Sequence, residues 1–510
     1  MAGKKVIAIG LDGAEPELIK KWSQQGFLPN LAKLQQKGVL RNLQSTVDLA
    51  NGTTWTSINS GVTPAKHGMV YYHRQLKSGT YQIRTKKYHE NICEPFWSNL
   101  SRQGKRVAIF DIPTNFPQKE LNGIQILSWG TTGEDGKEPC GVSDVPPEVY
   151  EKFGRHPFEN WQPMRLKTRE MLERFSKGLV TGVRQRTKIA KWLQEKEDWD
   201  LFYMVFTEPH WAGHAFWHLM DEEMPTHNKI YAKDYGDVIF KVYQEVDKAL
   251  GELLKDIDDK AVFIFSNTGM GPNYSARHLL PTVLARFGMD GAAWEKAKLC
   301  YFTRQFENWL RSRFVKWTKI WLPKSWWQSR QYQLENFRHN WKECSAFAVP
   351  NDHTGAIRIN LKGREPLGIV EPGDSYEALC KELTNKLLQL VNPATGHKVV
   401  QEVILVRDVY RGERLNDLPD LIVKWRNDAP VFSLTSPIIG QVNGKLKDPR
   451  SGTHQKNAYY LGLGEGVVQH MDDEISLLDI APTILSILES PIPESYAGKV
   501  QAAVTGHGVR

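Results

Sequence analysis

Apolar residues along this chain come in short unbroken runs, each closed by polar residues and followed by a stretch of helical periodicity. The first run is 5–11 (KVIAIGL), closed by Asp12-Gly13. Leu18, Ile19 and Trp22, then Leu28, Leu31 and Leu34, follow at the spacing of amphipathic helices. The plan recurs at 107–113 (VAIFDIP), 201–209 (LFYMVFTEP) and 261–269 (AVFIFSNTG), with helical stretches at 178–197 and 236–256. Strands that are apolar at every position are buried on both faces, as parallel strands under helices are. Their alternation with helices predicts an α/β fold with a mostly parallel central sheet and helices on both faces. Right-handed crossovers keep such strands pointing one way. The polar residues that close the runs should therefore converge on one sheet edge, where open α/β sheets hold their chemistry. Further strands are expected at 346–361 and 400–407, and a helix within 475–488.

From 301 to 340 the pattern changes. Phe302, Phe306, Leu310, Phe314, Trp317 and Trp321 recur at helical spacing, Arg304, Arg311, Arg313, Lys316 and Lys319 fall among and beside them, and Pro323 marks a stop. Residues 301–342 are expected to form a helical aromatic/basic insertion between two parts of the α/β core, 1–300 and 343–510. An amphipathic stripe of this kind is most often packed on the main body. A lid, a membrane-surface helix or a partner contact through 301–330 is the alternative.

The bulk numbers narrow the setting. The 510 residues are 41% hydrophobic, enough for a large core, and their net charge of +8 is spread over many segments. No nucleic-acid motif accompanies that charge, so no nucleic-acid partner is expected. The five cysteines, Cys93, Cys140, Cys300, Cys344 and Cys380, are far apart and contain no CxxC, a pattern that fits a reducing compartment. The opening Met-Ala-Gly-Lys-Lys leads directly into the first apolar run. No apolar stretch approaches the ~20 residues of a membrane span. A cytoplasmic protein is expected.

Taken in order, several segments resemble the type I phosphodiesterase and nucleotide pyrophosphatase branch of the alkaline phosphatase superfamily. They are Asp12-Gly13 after the first strand, TTWTSINSGVTPAKHGM (53–69), WSNLSRQGKRVAIFDIP (97–113), IRINLKGREPLGIV (357–370), NDLPDLIVKW (416–425), SGTH (451–454) and DIAPTILSIL (479–488). The resemblance implies two metal ions, usually zinc, at the C-terminal edge of the sheet. One is held by an Asp, a His four residues later and a His near the C-terminus. The other is held by the first-strand Asp, a Thr or Ser nucleophile and the Asp-His pair of a Ser-Asp-His-Gly motif. Two cations so placed stabilise the attacking and leaving oxygens of an in-line displacement.

Carried over residue by residue, the match is partial. Asp12 stands where a ligand of the second ion belongs. The nucleophile position, nine residues before Ser60-Gly61, is Asn51, which has no hydroxyl; Thr54, or Thr53, lies close by as a substitute. SNTGM (266–270) puts Asn267 and Thr268 where the Asp-His pair is expected. In TEPHWAGHAFWH (207–218), His214 matches and His210 replaces the Asp; SGTH keeps His454. Imidazoles and carboxylates both suit zinc, so the tally points to one ion on His210, His214 and His454. Iron, manganese, cobalt or copper would also suit such a set. Asp12 and Asn267 remain as residual ligands. Glu208 is the candidate proton-transfer group or the carboxylate that orients a ligating histidine. His67, in the Pro-x-x-His-Gly turn, reads as structural.

The expected function is that of a metal-dependent enzyme with an altered, mononuclear three-histidine site. It would act on a small-molecule substrate by water attack or a non-hydrolytic reaction. A catalytically inactive binding protein and a conventional zinc phosphodiesterase or phosphatase, with Thr53 or Thr54 attacking, are the alternatives.

Overall fold

Eight strands build the main sheet of the computed structural model, in the order Glu474–Ser476, Val39–Gln44, Asn457–Leu463, Lys260–Phe265, Lys5–Leu11, Leu201–Phe206, Val107–Phe110, Gly123–Ile126. The structure describes residues 4–46, 53–69, 74–85, 93–130, 144–158, 166, 168–257, 259–289, 340–446, 448–464, 467 and 474–501. Every neighbouring pair in the sheet is parallel except the two made by Asn457–Leu463, which runs against both its neighbours. The four apolar runs of the sequence are adjacent strands with one direction, so their C-terminal ends share one edge.

Side chains alternate across these strands and both faces are covered. Val6, Ala8, Ile109, Tyr203, Val205 and Phe263 form one core with Trp55 and Ile58, with Phe96, Trp97 and Leu100, and with Ile480, Ile484 and Leu485 of the Ile480–Ile487 helix. Each large apolar side chain so buried stabilises by roughly 1.5–3 kcal/mol relative to exposure. On the other side, the helices Arg169–Lys196, Glu208–Met220 and Val238–Leu253 pack against one another, and the first of them touches the Leu201–Phe206 strand.

The chain divides into two compact units. The first, Met1–Tyr72, Lys87–Asn273 and Asp448–Arg510, holds the large sheet. The second is His73–Lys86 with Tyr274–Lys447. The chain thus passes between the units at 72/73, 86/87, 273/274 and 447/448. The second unit has its own antiparallel sheet, ordered Ala346–Val349, Gly355–Ile359, Leu421–Trp425, Val400–Leu405. Its core takes Leu280, Val283 and Leu284 from one helix and Tyr376, Cys380, Leu383 and Leu387 from another. The physical cue is the connection. Residues 350–354 are too few for the crossover that a parallel pair needs, so the 346–361 segment folds back as a hairpin. Nearly all of the insertion expected at 301–342 lies outside the described residues. Among the described residues, no helix is long and apolar enough to cross a membrane.

Candidate metal centre

Three adjacent strand ends and one returning ribbon assemble the centre. Lys5–Leu11 runs into Asp12; Leu201–Phe206 runs through Thr207 into the Glu208–Met220 helix; Lys260–Phe265 runs into Asn267 and Thr268. On the helix, His210 and His214 stand one turn apart and share a face. His454 arrives on the Gly452–Gln455 strand, which pairs antiparallel with Gly269–Pro272 and sets His454 opposite Met270. Gly452 permits the approach: a Cβ there would lie 2.3 Å from the carbonyl oxygen of Gly213, on the helix between the two histidines.

His210, His214 and His454 each offer a ring nitrogen, and these atoms lie within 4.8 Å of one another. The rings meet edge to face, with centroids 4.5 Å apart for His210 and His214, 5.0 Å for His210 and His454, and 4.8 Å for His214 and His454. His214 and His454 are buried and His210 is partly exposed, so the group opens on the His210 side.

Each ring is oriented through Nδ1. His214 donates to the Gly452 carbonyl at 2.8 Å. His454 shares a 2.9 Å hydrogen bond with Thr268 Oγ1. His210 donates to Asp12 Oδ2 at 2.6 Å. A carbonyl or carboxylate acceptor fixes the tautomer with the proton on Nδ1 and the lone pair on Nε2, the pattern of histidines that bind metal. Three imidazoles with neutral and carboxylate partners fit a divalent ion of the zinc kind.

Beside this group, the residues expected at a second ion are joined to one another. Asp12 Oδ1 accepts from the Trp55 indole N–H at 2.9 Å. Asn267 Oδ1 accepts from the Gly13 backbone N–H at 3.0 Å, and its Nδ2 donates to Thr54 Oγ1 at 3.1 Å. Asp12, Thr54, Asn267 and Thr268 are all buried. Asn51 lies outside the described residues.

Glu208 is held by a buried cluster of its own. It is the first residue of the histidine helix, but both its oxygens accept from Arg186 Nε, at 3.1 and 3.2 Å, and Oε1 lies 3.3 Å from His156 Nε2. The same guanidinium donates to Asp111 Oδ2 at 2.6 Å and to Thr207 Oγ1 at 3.0 Å, and all of its surface is covered. Burial alone would raise the Glu208 pKa, but Arg186 and His156 outweigh it and hold the carboxyl below its ordinary value. These bonds hold Glu208 as an anion at the start of the helix. The carboxylate that meets one of the three rings is Asp12.

His67 is the last residue of the Pro64–His67 helix. Its Nδ1 accepts from the Met69 N–H at 3.1 Å and its Nε2 bonds Ser57 Oγ at 2.9 Å. Sequence reasoning missed Trp55, the Gly452 carbonyl, Arg186 and the role of Thr268 as partner to His454. An indole at a helix start and a backbone carbonyl carry no ligand signal in sequence. Arg186 could have been suspected as an arginine amid the apolar residues of the 178–197 helix.

A family model described as type I phosphodiesterase / nucleotide pyrophosphatase matches residues 6–429. His454 lies beyond the matched stretch. No curated protein sequence matches the chain. Among solved structures, phosphonoacetate hydrolase from Sinorhizobium meliloti 1021, in complex with phosphonoacetate, is 12% identical with a TM-score of 0.51, covering 95% of this chain and 96% of that one. Murine ectonucleotide pyrophosphatase / phosphodiesterase 5 is 12% identical with a TM-score of 0.46, covering 97% and 98%. The first of these likenesses is one of fold, an alkaline phosphatase-like α/β architecture.

Proposed function

Since the chain belongs to the type I phosphodiesterase / nucleotide pyrophosphatase family, we propose that it is a metal-dependent enzyme with one divalent ion, zinc in the first place, on His210, His214 and His454. Its substrate would be a small molecule bearing a phosphate, phosphonate or sulfate group. The observation that carries this reading is the orientation of the three rings through their Nδ1 atoms.

An ion held there supplies Lewis acidity toward an anionic substrate. The chain's own residues do the rest. The Gly452 carbonyl and Thr268 fix the two buried rings, and Asp12 places its negative charge behind the third. Asn267 and Thr54 line the same sheet edge with neutral groups. Asn51 offers no hydroxyl, so water is the nucleophile and no covalent intermediate on the chain is required.

A second reading has its own observation. Thr54 is the first residue of the Thr54–Ser60 helix, and its Oγ1 is held by Asn267. In that reading Thr54 attacks as in a conventional phosphodiesterase.

The deciding experiment measures metal by elemental mass spectrometry in protein purified without chelator, with His214→Ala alongside. One ion per chain, lost in the variant, is expected. Two ions per chain would move the reading to the conventional hydrolase. No ion, with none taken up from added zinc, would overturn the proposal. Turnover of bis(p-nitrophenyl) phosphate that survives Thr54→Ala excludes the second reading; turnover abolished by it would establish Thr54 as the nucleophile.

A further inference from the structure

We infer that Asp12 is a positioning residue in this chain: it holds no ion itself but fixes the tautomer and rotation of His210, and Trp55 locks it in that task. The inference rests on the three-histidine reading above and adds a role for two residues outside the ligand set.

The argument begins with hydrogen-bond inventory. A carboxylate only accepts, and an indole N–H only donates. The Trp55 Nε1–Asp12 Oδ1 bond of 2.9 Å therefore has one possible polarity. It occupies one carboxylate oxygen and turns the other toward His210 Nδ1, 2.6 Å away. The His210 proton then resides on Nδ1 and its lone pair on Nε2.

The surroundings are built for this arrangement. Asp12 is 5% exposed and Trp55 3%. The Asp12 backbone N–H donates to the Phe206 carbonyl at 2.9 Å, tying the end of the first strand to the strand that leads into the histidine helix. Gly10 makes room for the indole: a Cβ there would lie 2.6 Å from Trp55 Cη2.

The resemblance implies the opposite assignment, a ligating carboxylate at position 210 and a ligating Asp12. Here an imidazole stands at 210 and the first-strand carboxylate stands behind it. The negative charge stays beside the ion but acts through a ring.

Asp12→Asn tests the point through satisfiability. A carboxamide offers one acceptor and one donor to two donors, Trp55 Nε1–H and His210 Nδ1–H. The indole cannot adapt. The imidazole can, by moving its proton to Nε2, which removes its ligand lone pair. Removing the competing donor as well, in the pair D12N with W55F, frees the amide oxygen to serve His210 again.

The experiment titrates cobalt(II) into full-length wild type, Asp12→Asn, Trp55→Phe and the double variant. It follows affinity and the visible absorption of the loaded protein, with circular dichroism as the check on folding. Expected are one cobalt in wild type, about 10–100-fold weaker binding and an altered spectrum in Asp12→Asn, a smaller loss of affinity in Trp55→Phe, and recovery of the double variant to the level of Trp55→Phe. An unchanged affinity and spectrum in Asp12→Asn overturns the inference while leaving the three-histidine site standing. Two ions in wild type and one in Asp12→Asn makes Asp12 a ligand and overturns it equally. Failure of the double variant to recover, whether or not Asp12→Asn folds, also overturns it. Wild type that binds no ion fails the three-histidine reading itself.

Discussion

His214 donates its Nδ1 hydrogen to the carbonyl oxygen of Gly452, which lies 238 residues further along the chain. The rotation of a ring on one helix is thus set by a strand from the far end of the sequence, and Gly452 is the point of closest approach. Gly452→Ala should force the ribbon away from Gly213. Ion affinity, measured by competition with a chromophoric chelator, is expected to fall about 10–100-fold with far-ultraviolet circular dichroism unchanged.

Thr268→Val keeps the shape of the side chain and removes the oxygen that meets His454 Nδ1. The buried ring would lose this hydrogen bond, at a cost of about 1–3 kcal/mol. Zinc affinity should drop about tenfold or more. Urea denaturation of the zinc-free and zinc-loaded forms separates the two effects.

Arg186 is fully buried between Asp111 and Glu208. Arg186→Met would leave two carboxylates uncompensated in the interior, and removing one partner of such a pair typically costs about 3–5 kcal/mol. A lowered urea midpoint checks this. Adding Glu208→Gln and Asp111→Asn should recover part of the loss, because the charges that needed Arg186 are then gone.

Glu15 supplies a pH dependence. Burial raises its carboxyl pKa to about 7, against the opposing hydrogen bonds from the Met270 and Glu17 backbone N–H groups. The folded state then keeps a proton that the unfolded chain releases from about pH 4.5 upward. Stability from this group is therefore full below that pH and falls as pH rises toward 7. Relative to wild type, Glu15→Gln should gain stability across this interval, by up to about 3 kcal/mol at pH 8. Parallel denaturation curves of the two proteins from pH 4.5 to 8 check it; a constant difference across that range would refute the assignment.

The large sheet was readable because strands buried on both faces cannot hide their composition: KVIAIG and LFYMVF admit few other readings. The convergence of His210, His214 and His454 was legible through the resemblance, which assigns all three positions to one site. The second unit was not legible because its strands are short and its limits are set by pairing across the chain, as between Gly355–Ile359 and Leu421–Trp425. The surroundings of Glu208 were not legible, because nearness in sequence is not nearness in space. Two residues before His210, at the helix start, its side chain turns to Arg186 and not to the rings. Trp55 gave no signal, since its bond to Asp12 spans 43 residues and depends on the space at Gly10.

The one reversed strand, Asn457–Leu463, sits inside the sheet, between Val39–Gln44 and Lys260–Phe265. During synthesis these two neighbours must therefore wait, each with one edge unsealed, until Asn457–Leu463 has left the ribosome. Nascent protein halted before residue 450 would lack both the wedge that closes the sheet and the third imidazole. Such topology makes folding slow and the unfinished chain prone to aggregation. Truncation upstream of Gly452 would remove the strand that joins the two halves of the sheet and His454 together.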